Sequence, residues 1–207
     1  MSTWYKSSDE WFSKNVKNKI HVFDDIIDID YQNRIKHLLI SGETSFPWYF
    51  TEDVTLAGDY QNQKRCAFCH EFVSPENVLS QYNSFFLEMV RQSCHKVNKS
   101  KVKVLQGRSF FQLPQRIENA HEPDSAHTDL SYPHFVVLYY VCDSDGDTII
   151  YNEKASKRSY KDYTIKEKVT PKQGRVVVFD GLYWHTAEQP KKDVRCILNF
   201  NISTNGT

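Results

Sequence analysis

The chain has no charge of either sign to spare. Among its 207 residues, 26 lysines and arginines stand against 26 aspartates and glutamates. A neutral chain has no long-range pull toward nucleic acid or an anionic membrane, although a local basic groove stays compatible with it. No apolar stretch approaches the roughly 18 residues that a membrane span needs. The opening segment MSTWYKSSDEWFSKN holds no apolar run of the length a secretory signal uses. Cysteines are few and odd in number, five in all. Without such a signal they are expected to be reduced thiols in a cytoplasmic protein, which excludes a disulfide framework. Internal repeats, low-complexity tracts and Pro/Gly-rich linkers are missing as well. One domain over residues 1–207 is the simplest expectation, long enough to bury a sizeable core.

Aromatic residues are what the chain has in plenty. They make up 14% of it, with 13 Phe and 12 Tyr, a bias that suits pleated, half-buried strands. The first hundred residues read as a mixed, helical support for the remainder of the chain. His21 to Phe23 suggests a short strand. Asp30 to Ile40 suggests a helix with Ile35, Leu38 and Leu39 on one face. The aromatic, Pro-interrupted run from Phe46 to Phe50 suggests a packed loop or an edge strand. The best helix is predicted to begin at Ser74-Pro75, Ser as N-cap and Pro at the first helical position. Val78, Tyr82, Phe85, Phe86, Met89, Val90 and Val97 follow at helical spacing.

Past residue 101 the pattern turns to strands, expected at 102–105, 108–113, 135–142, 148–151, 175–179 and 195–202. Turn-forming clusters such as Asp143-Ser144-Asp145-Gly146 and Asp180-Gly181 separate them. Helices first and many short strands after predict an α+β, mainly β chain. Its core would be a β-sandwich or jelly roll, with the N-terminal helices packed on one face.

One set of residues carries chemistry. In an extended segment, His127 and Asp129 point to the same side, being two apart. A polar stretch, Glu118 to Ser125, precedes them and a strongly apolar strand follows. His185 comes after the apolar run Val176 to Phe179 and the Asp180-Gly181 turn, and is expected at a strand end. Two histidines and one carboxylate on one face of a metal leave coordination positions open, which is the donor set of non-haem Fe(II) oxygenases. Arg195 follows His185 by ten residues on the next strand. A guanidinium buried in a barrel needs an anion, and it can grip a carboxylate by paired hydrogen bonds. Plainer readings exist for each: a local loop hydrogen bond for His127 and Asp129, a buried satisfied histidine for His185, an edge pair with Asp193 or Glu188 for Arg195. Their joint occurrence in this order favours the metal site.

The order His-x-Asp, strand, Asp-Gly turn, strand, His and then Arg resembles the Fe(II)/2-oxoglutarate-dependent dioxygenases. The nearest likeness is to the prolyl 4-hydroxylase-like branch, small bacterial and phage members included. It spans roughly residues 105–202, with Leu138-Tyr139-Tyr140-Val141 and Asp145-Gly146-Asp147-Thr148 matching that branch's strand and Gly-rich turn. The resemblance implies a double-stranded β-helix, with Fe(II) held by His127, Asp129 and His185. It implies that Arg195 and Tyr139 bind 2-oxoglutarate, and that O2 is the oxidant with ascorbate in support. It also implies hydroxylation of a substrate C–H bond as 2-oxoglutarate becomes succinate and CO2. A proline in a peptide or protein is the leading substrate, with a free amino acid or other small metabolite as the alternative. A non-catalytic jelly-roll metal-binding module and a cupin-like enzyme without 2-oxoglutarate are the readings from other classes.

Two departures narrow the choice. A carboxylate at position 129 leaves no open place for halide, which argues against halogenation. The nucleic-acid demethylases carry a second Arg six residues after the first, and here that position is Asn201. Arg108 reads as a surface residue or as part of a substrate cleft. Glu118–Ser125 and Glu153–Lys168 read as lid loops. Cys66-Ala67-Phe68-Cys69-His70 has haem-attachment spacing, but that chemistry requires export. With Cys94 and His95 the same cysteines offer zinc-type donors at a spacing that is not diagnostic. Free thiols are the default.

Overall fold

The computed structural model describes residues 18–54, 65–98, 101–114, 123–155 and 162–203. At the centre lies β5 (Phe135–Tyr140), a six-residue strand apolar at every position. A strand can be apolar throughout only where both of its faces are covered. Its neighbours β8 (Val176–Asp180) and β10 (Arg195–Ser203) are buried almost end to end. β1 (His21–Phe23) extends this sheet beyond β8. On the other side β4 (Lys103–Gln112), β3 (Ala67–Val73) and β2 (Tyr49–Thr51) follow β10, giving the order β1-β8-β5-β10-β4-β3-β2. A second sheet, β7-β6-β9, is built from β7 (Ile165–Val169), β6 (Thr148–Lys154) and β9 (Tyr183–Ala187). The named pairings in both sheets are antiparallel. Together the sheets make the double-stranded β-helix expected from the residue order.

Two helices of the described residues close the outer face of the large sheet. α1 (Ile29–Ile40) starts where the Asp28 carboxylate accepts the Tyr31 N–H at 2.8 Å, satisfying one donor of the first turn. It turns Tyr31, Ile35 and Leu39 inward; α2 (Asn83–Lys96) does the same with Phe86, Met89, Val90 and Cys94. These residues meet Val137, Tyr139, Val141, Val176, Val178, Leu198 and Phe200 in one continuous core. Neither helix is long and apolar enough to cross a membrane.

The structure revises several expected boundaries. Ser74-Pro75 starts no helix. Ser74 N–H donates to Asn77 O at 2.9 Å and Leu79 N–H to Phe72 O at 2.8 Å, so the segment is a turn that folds back on β3. Val78 and Leu79 are left exposed, and α2 begins only at Asn83. Ser and Pro serve turns as readily as helix starts, and here the turn won. The two strands expected at 102–105 and 108–113 are one, β4, running straight through Gly107. That glycine is needed because the Phe200 ring lies against it: a Cβ would come within 2.6 Å of the ring. β3 occupies the cysteine-bearing segment, and β7 runs through part of the charged stretch that reads as a lid. Residues 156–161 of that stretch and most of Glu118–Ser125 lie outside the described residues.

Candidate active site

The two histidines are brought together by backbone pairing. His127 N–H donates to His185 O at 2.9 Å and His185 N–H returns to His127 O at 3.0 Å. Directly opposed residues of an antiparallel pair send their side chains to the same face, and the ring centroids lie 4.7 Å apart. His185 therefore stands in the middle of β9, not at a strand end. Asp129, two residues past His127, falls on the same side and reaches across to the large sheet.

Each histidine presents the same nitrogen to the centre. His127 Nδ1 lies 3.2 Å from Ser125 O and His185 Nδ1 lies 3.0 Å from Tyr183 O. A carbonyl accepts only from an N–H, so both rings carry a proton on Nδ1, and the neutral form of each turns its Nε2 lone pair toward the centre. Those Nε2 atoms are 4.0 and 3.7 Å from the two carboxylate oxygens of Asp129. The three donor atoms lie within 4.8 Å of one another, the only such group of three or more found among the described residues. His127 has its side chain about half exposed, at 48%, yet the protein packed around its ring and the neighbouring His185 hold its pKa below the ordinary value, which favours the neutral ring. Burial alone would raise Asp129. The His185 ring and the Arg108 guanidinium beside it outweigh burial and hold the carboxyl well below its usual range.

Two residues fix the Asp129 carboxylate from the large sheet. Arg108 Nη2 donates to Oδ1 at 2.7 Å and Asn199 Nδ2 donates to Oδ2 at 3.0 Å. The pair is set by register, because Arg108 on β4 faces Asn199 on β10. Each carboxylate oxygen keeps a lone pair for a metal. Arg108 thus belongs to the site, where the sequence left a surface role open; its position two before Phe110 in an alternating strand was the one available signal.

Arg195 opens β10 and is 3% exposed. Its register partner Gln112 accepts from Nη1 at 2.8 Å, Gly146 O accepts from Nε at 2.9 Å, and Thr148 Oγ1 accepts from Nη2 at 2.9 Å. All three acceptors are neutral. No carboxylate among the described residues lies within ion-pair distance, neither Asp193 nor Glu188. Burial lowers its pKa, but a guanidinium stays protonated in proteins. Gly146 permits this approach: a Cβ there would lie 3.0 Å from Arg195 Cδ and 2.7 Å from Glu188 O.

A cavity of about 950 Å³, counted to its open mouth, joins the two ends. Arg195 and Thr148 line one part of it, His127, Asp129 and His185 another, with Val136, Leu138, Phe179 and Ile197 as apolar wall. Asp124 also lines it, which the sequence did not single out. Its carboxylate accepts both contacts of the Gln189 amide, at 3.0 and 2.7 Å, and lies 3.6 Å from Arg65 Nε.

Tyr139 is the expected site residue that the structure places elsewhere. Val136 and Leu138 face the cavity, so the strand's alternation turns Tyr139 to the outer face, where it is fully buried beneath the helices. Its hydroxyl has no hydrogen-bond partner among the described residues. Its neighbour Tyr140 takes the inner face and donates to Thr148 Oγ1 at 2.7 Å, one bond from Arg195. The cysteine set is not assembled either: Cys94 is buried in the core, Cys66 is exposed, and Cys69 Sγ lies 3.1 Å from Thr51 Oγ1.

No protein-family model and no curated protein sequence matches the chain. Solved structures do. A 2OG-Fe(II) oxygenase-family oxidoreductase from Burkholderia pseudomallei aligns over 96% of this chain and 91% of its own, with a TM-score of 0.67 and 11% identity. A prolyl hydroxylase from Trichoplax adhaerens, solved with a peptide of hypoxia-inducible factor, aligns over 99% and 94% with a TM-score of 0.61 and 12% identity. The α-ketoglutarate-dependent carbocyclase SnoK of nogalamycin biosynthesis aligns over 98% and 83% with a TM-score of 0.62 and 11% identity. The chain therefore has the fold of the 2-oxoglutarate/Fe(II) oxygenases. The reactions of these neighbours differ, so the fold names no substrate.

Proposed function

We propose that the chain is an Fe(II)- and 2-oxoglutarate-dependent dioxygenase that hydroxylates a C–H bond of its substrate and releases succinate and CO2. One observation carries this: two imidazole Nε2 atoms and one carboxylate converge in a cavity that also holds a buried guanidinium whose hydrogen-bond partners are all neutral. His127, Asp129 and His185 fit Fe(II) by donor type, protonation state and spacing. When bound, iron supplies activation of O2 and oxidation of the C–H bond. The protein's own part is to hold and to exclude. Arg108 and Asn199 fix the carboxylate, Ser125 O and Tyr183 O fix the ring tautomers. Arg195 offers a charged fork to the distal carboxylate of 2-oxoglutarate, with Thr148 and Gln112 orienting it. Val136, Leu138, Phe179 and Ile197 keep water from that end.

A prolyl residue of a peptide is the leading substrate reading, supported by the residue likeness and by prolyl hydroxylases sharing the fold. A free amino acid or other small metabolite is the second, favoured by the fold shared with the carbocyclase SnoK of nogalamycin biosynthesis. The test is succinate formation from 2-oxoglutarate with Fe(II) in air. His127→Ala, Asp129→Ala and His185→Ala should each fall to background with an unchanged circular dichroism spectrum. Wild-type succinate from any one of them would remove that residue from the ligand set.

A further inference from the structure

The three metal donors are not held alike. Asp129 is fixed from the large sheet by Arg108 and Asn199, and His185 is part of β9. His127 lies outside the named strands and meets β9 only through an isolated bridge. Its ring is oriented by Ser125 O, 3.2 Å from Nδ1. Whatever fixes the Ser125 backbone therefore fixes that ring.

The residue before Ser125 is tied down at every polar atom. Asp124 N–H donates to Ala187 O at 2.8 Å, and Thr186 Oγ1 donates to Asp124 O at 2.5 Å. Asp124 O belongs to the peptide unit that leads into Ser125, so the Thr186 bond orients that planar unit. Gln189 Nε2 lies 3.0 and 2.7 Å from the two carboxylate oxygens, and Arg65 Nε lies 3.6 Å from Oδ1. Arg65, two residues before β3, adds a tether from the large sheet. Asp124, Arg65 and Gln189 are all buried. Together with the His127–His185 pairing, these contacts fasten both ends of the segment 124–127 onto 185–189. A buried ion pair adds little net stability, since desolvation offsets much of its attraction. Its effect here is geometric: a guanidinium and an amide hold one carboxylate three residues from a metal donor.

Resting on the oxygenase reading above, we propose that Asp124 is the positioning residue for His127, with Thr186, Gln189 and Arg65 as its anchors. It is not one of the three donors, and it acts through the Ser125 carbonyl.

The test is titration of the metal-free protein with Co(II) alone, followed by the visible ligand-field absorption. The melting temperature of the metal-free protein is read beside it. Asp124→Ala should weaken Co(II) binding roughly 10- to 100-fold and change the band shape, as expected when a residue that orients a metal ligand is removed. Thr186→Val is milder. It should weaken binding roughly 2- to 10-fold, with the metal-free melting temperature close to wild type. In a His127→Ala background neither substitution should weaken Co(II) binding further, because the ring they position is gone. The inference is overturned if both variants bind Co(II) as tightly as wild type. It is equally overturned if they weaken binding by the same factor with and without His127. Thr186→Val decides the matter where Asp124→Ala does not fold. An unmutated chain that binds no Co(II) would overturn the metal-site reading, and this inference with it.

Discussion

The two faces of the large sheet are made by the same strands and face opposite demands. On the outer face, Val137, Tyr139, Val141, Leu198 and Phe200 meet the two helices in a dry core, with the Tyr139 hydroxyl as a polar misfit among them. On the inner face, Arg108, Asn199, Gln112 and Arg195 carry charge and amides into a cavity. A folding core alone would not tolerate a buried guanidinium without an anion. The inner face gives up apolar burial for ligand binding, and the outer face supplies the stability that allows it.

This contrast can be broken by mutation. The largest effect is expected on the outer face. Phe86→Ala empties a fully buried site and should cost about 3–5 kcal/mol of unfolding free energy, read by denaturant titration. The 2-oxoglutarate requirement of the molecules that remain folded should not move. Next comes the inner face. Arg195→Lys keeps the charge but loses the fork, and at about 1.5–3 kcal/mol for charged hydrogen bonds it should raise the 2-oxoglutarate requirement roughly 10- to 100-fold. Stability should change far less than in Phe86→Ala, since the three neutral acceptors keep a partner. The adjacent tyrosines give the finest comparison. Tyr140→Phe removes the hydroxyl that orients Thr148 and should raise the 2-oxoglutarate requirement roughly 2- to 10-fold. Tyr139→Phe removes an unpaired hydroxyl and should leave that requirement unchanged, with stability equal or slightly higher. The reverse result would return Tyr139 to the site and contradict its placement on the outer face.

The candidate metal donors were legible in the sequence because their order survives in one dimension. His127, Asp129, His185 and Arg195 could be named before any fold, and backbone pairing then supplied the distances. The jelly roll was legible in the aromatic, β-branched runs of the second half. Three things stayed hidden, each for a physical reason. The choice between Tyr139 and Tyr140 is a matter of strand parity, and a one-residue offset exchanges the faces. Arg108 and Asn199 are far apart in the chain and meet only through the β4–β10 register. The turn at Ser74 and the strands β3, β7 and β9 carried local signals that fit other structures equally well, and cross-strand pairing decided between them.

The most direct measurement is anaerobic addition of Fe(II) and 2-oxoglutarate to the metal-free protein, followed in the visible range. The account predicts the weak charge-transfer band of 2-oxoglutarate chelated to iron at this site, and its loss in His185→Ala. Iron binding without that band, or a band that survives in His185→Ala, would contradict it.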